Sequence, residues 1–414
     1  MATVAVLGTL DTKGVELAHV SALIRDTGCA TILIDVGVYP PPSGVTAEIS
    51  GDEVARAAGI DRAALVSKGD RGAAMTAMGR GAGRILLDLR AQGRLDAVLS
   101  MGGSGGASVA SAAMRQLPVG VPKLLVTTVA SGQVAPYVGE TDMTLMYSVL
   151  DIAGLNSVSE PIFANAAAAI AGMAKAAEAR SRRGTARPAI ALTMFGVTTP
   201  GATVAREWLE GAGYEVLVFH ANGAGGRTMD SLIRSGAFVG VLDLTTTELA
   251  DELVGGVLTA GPDRLEAAGR LGIPQVVSLG ALDMVNFGPI ATVPPAFADR
   301  TLYRHNDNVT LMRTTAAECA ALGALIAEKL NRSAGPTALF MPLQGVSALS
   351  VAGNPFHDPH ADAALFAAVD AHIAPRLRVE RREAAINDPA FAREMAMTLD
   401  TLIRLQGKDP HVAS

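Results

Sequence analysis

Short apolar runs alternate with longer amphipathic stretches along almost the whole chain. In the first half, 3–7, 30–36, 97–101 and 123–129 read as strands buried on both faces, and 141–147 as a further one. Between them a helix carries Leu17, Val20 and Ile24 on one face, and 73–92 reads as a second helix in spite of Gly79, Gly81 and Gly83. An alanine-rich helix from Pro161 to about residue 179 closes the unit. A polar, basic stretch follows at 180–188, Arg-Ser-Arg-Arg-Gly-Thr-Ala-Arg-Pro, and then the pattern restarts. Strands are expected at 189–195, 214–219, 239–242, 275–279 and 338–342, with helices around Val204 to Leu209, over 315–330 and over 389–405.

Strand–helix–strand alternation of this kind builds parallel sheets covered by helices. The expected fold is therefore α/β: two doubly wound, Rossmann-like domains with mostly parallel sheets, over residues 1–183 and 184–414. Each half opens with a βαβ whose first turn is a threonine loop bracketed by glycines, Gly8 to Gly14 and Gly196 to Gly201. Two similar units would explain this, and so would convergence on common turn chemistry.

Composition narrows the classes. A chain of 414 residues suits two cores. With 49% hydrophobic and 18% charged residues it affords them easily. A formal net charge of −6 argues against a nucleic-acid binder, which would carry a basic face. The alanine helix contains Asn165, Lys175 and Glu178, so it reads as a packing helix and no membrane span is expected. The N-terminus lacks a basic segment before its apolar run and reads as a strand rather than a signal peptide. Only Cys29 and Cys319 occur, without a CxxC, which fits a reducing, cytoplasmic setting.

Chemistry concentrates where the central run 97–101 meets Gly102, Gly103, Ser104, Gly105 and Gly106. Strand, glycine turn and helix start together suit an anion, because glycines let backbone N–H groups approach closely and the helix end adds its positive dipole. The loop is not a P-loop, since it lacks the lysine. It also fits the dinucleotide fingerprint poorly, with no acidic residue between Asp96 and Glu140 to take a ribose. Close βα packing alone is the plainer account of the same glycines. A second glycine turn, Asn222 to Arg227, follows the strand through Phe219, and Asp243 lies twenty residues beyond Gly223, a layout nearer to ribose recognition.

Several segments taken together resemble a known family. They include Gly8 to Gly14, Met101 to Gly106, Val126 to Gly132, Asp151 to Asn156, Met194 to Pro200, Phe219 to Gly226, Asp243 to Leu253, Ala281 to Gly288 and Pro342 to Ser347. The chain is similar along nearly its whole length to the ATP-binding-domain family of the plant tomato mosaic virus resistance protein. That resemblance implies two Rossmann-like domains, ATP held by the first, and self-association into a homodimer or larger homo-oligomer.

Carried onto this sequence, Gly102 to Gly106 would hold phosphates through backbone N–H groups. Thr9, Asp11, Thr12 and Lys13 would stand at the same sheet edge, with Lys13 on a phosphate and Asp11 reaching Mg²⁺ through water. A plain helix cap by Asp11 or Thr12 is the alternative. Thr127, Thr128, Ser131 and Gly132 would offer ribose or phosphate contacts, or form an ordinary hydroxyl turn. In the second half His220, Asp243, Glu248 and Asn286 are candidates to act on a small molecule in a cleft between the domains. His357-Asp358-Pro359-His360 has metal-ligating residue types but reads better as a proline turn. Two classes stay open: a Mg-ATP-dependent enzyme acting on a small molecule, and an ATP-binding regulatory or interaction protein without turnover. The domain division predicts that limited proteolysis cuts first within residues 180–188; first cleavage inside 97–128, detected by mass spectrometry of the fragments, would contradict it.

Overall fold

The computed structural model describes residues 1–181 and 187–407. The chain falls into two compact units, Met1–Thr185 and Ala186–Ser414. Most of the basic stretch expected to join them, residues 182–186, lies outside the described residues.

The first unit runs β1 (Thr3–Gly8), α1 (Leu10–Asp26), β2 (Ala30–Asp35), α2 (Gly51–Ala57), α3 (Arg62–Lys68), α4 (Arg71–Ala91), β3 (Ala97–Gly102), α5 (Ser104–Met114), β4 (Lys123–Thr127), α6 (Ala135–Val138), β5 (Met143–Tyr147) and α7 (Ser159–Ser181). Its five strands pair in parallel in the order β2-β1-β3-β4-β5. Because successive strand residues face opposite sides, each strand feeds two cores. Ala5, Leu7, Val98 and Leu125 pack under α2, α4 and α5, while Val4, Val6, Leu99 and Val126 pack under α1 and α7. The glycines of α4 do not break it. A Cβ on Gly81 would stand 2.0 Å from the Val54 carbonyl oxygen, so glycine there lets α2 and α4 approach closely. The run expected to extend to residue 129 stops at Thr127, whose hydroxyl accepts the Val129 N–H and turns the chain into a short 3₁₀ helix.

The second unit continues with β6 (Ala189–Met194), α8 (Thr199–Gly211), β7 (Glu215–His220), α9 (Ala224–Arg234), β8 (Gly240–Thr245), α10 (Glu248–Val254), α11 (Ala267–Arg270) and β9 (Gln275–Gly280). An antiparallel insertion follows, made of β10 (Met284–Phe287), β11 (Leu302–Asn306) and β12 (Val309–Arg313). The chain then returns through α12 (Ala316–Asn331), β13 (Thr337–Pro342), α13 (Pro359–His372), β14 (Arg378–Arg382) and α14 (Pro389–Leu405). The main sheet is parallel, ordered β7-β6-β8-β9-β13-β14. Read in each unit's own chain order, the first five strands of both sheets follow one doubly wound order, 2-1-3-4-5. The likeness first seen in the two opening turns thus extends to whole-unit topology. Asp358 caps α13 by accepting from the N–H groups of His360 and Ala361, which is the proline-turn reading of that segment. No described helix is long and apolar enough to cross a membrane.

Burial moves several carboxyls of the second unit above the usual carboxylate range, three of them far. Burial raises Asp230 and Asp283 to about 6 and Asp251 to about 7. A raised native pKa means the native state holds a proton that the unfolded chain has already released. The associated stability is complete below about pH 4 and is lost as pH rises toward 7. Urea unfolding of the wild type should therefore show a higher midpoint at pH 5 than at pH 7.5, and Asp251→Asn, which cannot ionise, should reduce that difference. An unchanged difference in the variant would remove Asp251 from the account.

Candidate functional site

In a doubly wound sheet the two strands at the reversal point send their chains to opposite faces, leaving a crevice beyond their carboxyl ends. In the first unit those strands are β1 and β3. A cavity of about 570 Å³ lies there, within the range of small-molecule sites. Thr9, Asp11, Thr12 and Lys13 from the β1–α1 turn and Gly102 to Gly106 from the β3–α5 turn all line it. The sequence thus named two of its walls correctly as neighbours.

The β3–α5 turn is built as an open helix end. Gly103 occupies the N-cap position of α5, and no side chain caps it. Its φ of −71° suits any residue, and a Cβ placed on it would meet nothing nearer than the Thr128 hydroxyl at 3.9 Å. Neither backbone nor packing requires glycine there; the space is free for something that is not protein. A Cβ on Gly105 would stand 2.9 Å from Nη2 of Arg71, so that guanidinium lies against the cradle. The Arg71 guanidinium makes no hydrogen bond or ion pair among the described residues. A cation beside the positive end of a helix is unfavourable unless an anion stands with them.

The β1–α1 turn is held differently. Thr9 is the N-cap of α1, with no side-chain cap bond, and its hydroxyl pairs with that of Thr12 at 2.9 Å. Asp35, at the end of β2, accepts from the N–H of Leu10 at 3.2 Å and so places a carboxyl at the α1 end; burial raises its pKa. Lys13 departs from helical backbone, with φ −128°, and its Nζ donates to the Ile152 carbonyl. Asp11 accepts from the Tyr39 N–H through Oδ2 at 3.2 Å, while its buried Oδ1 has no partner.

The remaining wall is apolar: Val36, Val38, Leu65, Val66, Ala74, Met75, Met78 and Val109, with Tyr39 among the exposed residues. Arg71 and Tyr39 also line the cavity and had no signal in the sequence, and so does Asp151, which the sequence offered only as the first residue of a resembling segment. Arg71 and Tyr39 lie more than thirty residues before the loop they serve, and only the winding of the sheet brings them to it. Thr127, Thr128, Ser131 and Gly132 are not on the cavity wall. Thr127 is buried and Ser131 donates to the Thr128 carbonyl at 3.1 Å, the ordinary hydroxyl-turn arrangement.

The second unit's glycine turn has the same makings and a different outcome. Glu248 sends Oε1 into it, accepting from the N–H groups of Gly223 at 2.7 Å and Gly226 at 3.1 Å. A Cβ on Gly226 would lie 2.3 Å from that carboxylate, and one on Gly225 would lie 1.9 Å from the His220 carbonyl oxygen. Arg264, fully buried, donates Nε to Glu248 at 2.6 Å and holds Asp243 through Nη1 and Nη2 at 2.5 and 2.7 Å. Asp243 also accepts from the Thr193 hydroxyl at 2.8 Å. The cradle is occupied by the protein's own carboxylate, and Asp243, only 1% exposed, is not presented to a ribose.

Of the four candidates named in this unit, His220 alone reaches solvent; its Nδ1 lies 3.3 Å from the Met194 sulfur. Partial burial lowers its pKa against the opposing charge of Glu248. Asn286 is buried, donating Nδ2 to Asp251 at 2.6 Å. The four therefore do not assemble into one open site. Among the described residues no group of three or more His, Cys, Asp or Glu side chains is placed to hold a metal. Removing Arg264 would leave two buried carboxylates facing each other, so Arg264→Met should lower unfolding free energy by about 3–5 kcal/mol in urea titration. A loss under 1 kcal/mol would show that the network does not lock the turn.

Comparison with known proteins agrees with the two-unit division. The N-terminal domain model of an uncharacterised protein family, UPF0261, matches residues 2–179, and the C-terminal domain model of the same family matches 187–403. A UPF0261 protein of Clostridium tetani is 51% identical over 395 residues, covering 95% of this chain and 97% of its own. One from Rhizobium meliloti is 49% identical with the same coverage. The tomato mosaic virus resistance protein Tm-1 of Solanum lycopersicum is 42% identical over 347 residues, 83% of this chain and 46% of the tomato protein. The chain, matched across both units, belongs to the UPF0261 family.

Proposed function

We propose that the first unit binds ATP with Mg²⁺ in the cavity at the β1/β3 reversal, and that the protein uses the nucleotide on a small molecule. The observation that carries this reading is the contrast between helix ends. The α1 end has the carboxyl of Asp35 and the α9 end has that of Glu248, whereas the α5 end has no side chain and opens on a cavity. Phosphate oxygens supply the missing acceptors.

The rest of the wall suits the same ligand. Lys13 and Arg71 are cations at the cradle, and Lys13 keeps two further ammonium protons beyond the one given to Ile152. Asp11, Asp70 and Asp151 bring negative charge to the cavity, so a polyphosphate fits best with a divalent cation. Asp11, which lines the cavity and has one carboxylate oxygen without a partner among the described residues, would hold that cation directly or through water. Mg²⁺ keeps most of its ligands as water and phosphate, so one carboxylate is enough. Bound there, the ion would neutralise phosphate charge and orient the group to be transferred. The residues of the chain would grip the phosphates, and the apolar wall would exclude water from one side of the site.

Mg-ATP should raise the melting temperature, because a ligand bound only to the native state stabilises it by mass action. Calorimetric titration should show Lys13→Ala and Arg71→Ala each weaker for ATP by about 1.5–3 kcal/mol with the fold intact by circular dichroism. Gly103→Val should fold normally and lose ATP, since its side chain fits the protein and fills only the space left for phosphate. Release of phosphate from Mg-ATP separates turnover from binding. Wild-type affinity in folded Gly103→Val would place the phosphates elsewhere.

A further inference from the structure

Among the described residues Tyr39 is the one aromatic residue on the cavity wall, and its main chain is held at both ends. Its N–H donates to Asp11 Oδ2 at 3.2 Å, and its carbonyl accepts from Arg62 Nη2 at 2.6 Å. Arg62 also donates Nε to the Val38 carbonyl at 3.2 Å and lies 3.4 Å from Asp35 Oδ2, so one half-buried guanidinium fastens the segment after β2. Beside it, a Cβ on Gly37 would stand 2.8 Å from the Asp11 carboxyl carbon, which fixes that segment against the β1–α1 turn.

The ring is treated in the opposite way. Tyr39 is 57% exposed, and among the described residues its ring stacks on no other ring and its hydroxyl has no partner. Burial of the ring therefore explains nothing about this position. A residue with a pinned backbone and an exposed, unstacked ring on a cavity wall is suited to a flat ligand group, with little ordering cost on binding. Val38, Val66 and Met75 add apolar surface on the same wall, and the phosphate cradle and Arg71 lie among the other lining residues.

We infer that Tyr39 is a specificity residue that stacks on the heteroaromatic base of the bound nucleotide. This deepens the nucleotide reading above and rests on it. The site then reads two features of one ligand: phosphate at the glycine turn and a planar ring at Tyr39. Stacking tolerates any base, because every base has a π-face. The ring accordingly selects nucleotides over bare polyphosphates, without choosing adenine from guanine.

The test is calorimetric titration of the full chain with Mg-ATP and with magnesium tripolyphosphate, which has the phosphates and no base. Wild type should bind ATP more tightly than tripolyphosphate. Tyr39→Ala should weaken ATP about tenfold and leave tripolyphosphate unchanged, at an unchanged melting temperature without ligand. Tyr39→Phe, which keeps the π-face and loses the hydroxyl, should bind ATP as wild type does. Equal ATP affinity in wild type and Tyr39→Ala would overturn the inference and leave the nucleotide site standing. Loss of ATP in Tyr39→Phe as severe as in Tyr39→Ala would overturn stacking in favour of the hydroxyl. No binding of ATP by wild type would overturn both this inference and the reading beneath it.

Discussion

A helix that begins at the carboxyl edge of a parallel sheet presents unpaired N–H groups and a positive dipole end, which side chains, water or a ligand can satisfy and which favour a negative partner. Much of this protein's organisation follows from how each such end is answered. At α1 the answer is Asp35, carried on the neighbouring strand. At α9 it is Glu248, delivered from α10. At α5 no side chain of the described residues caps the end, and a cavity stands in front of the glycines. Two glycine turns of similar composition therefore have different roles, decided by whether a carboxylate of the same unit can reach them.

Closing the α9 turn from within has consequences for the second unit. A buried carboxylate needs a buried cation, and Arg264 supplies it while also holding Asp243. The ion triad is fully enclosed, so each member is costly to remove on its own. Nearby, Asp251 and Asp283 have no cation bonded to them, and burial moves them toward the neutral form. The same unit thus keeps buried charge where a cation pairs it and shifts carboxyls without a bonded cation toward their neutral form. In the first unit the cations Lys13 and Arg71 instead stay at an accessible wall, where a ligand can meet them.

Much of this was legible in the amino-acid order, and the limits have physical causes. The central strands of both parallel sheets announce themselves as apolar runs because both of their faces are buried; Ala97–Gly102 and Gln275–Gly280 are examples. Glycine after a central strand marks a turn through which a backbone can approach a ligand, and Gly102 to Gly106 do line the cavity at that sheet edge. By contrast β14, Arg-Val-Glu-Arg-Arg, is an edge strand whose side chains pair with Glu394, with Asp370 and with one another, so it carries no apolar pattern to read. The insertion β10–β12 was missed as well, since its strands are short and only β10 and β12 are well buried.

What the sequence determined by itself was local: which segments are strands or helices, where the chain turns, and which turns are rich in glycine. Those properties depend on neighbours along the chain. Whether a glycine turn is open or filled depends on residues far from it, Glu248 for Gly223 and Gly226, Arg71 for Gly105, Asp35 for Leu10. Such pairings are made by the order in which the strands lie side by side, and no spacing rule in one dimension encodes them. Tertiary structure alone therefore decided that the first unit keeps an open cradle and that the second unit closes its own with Glu248.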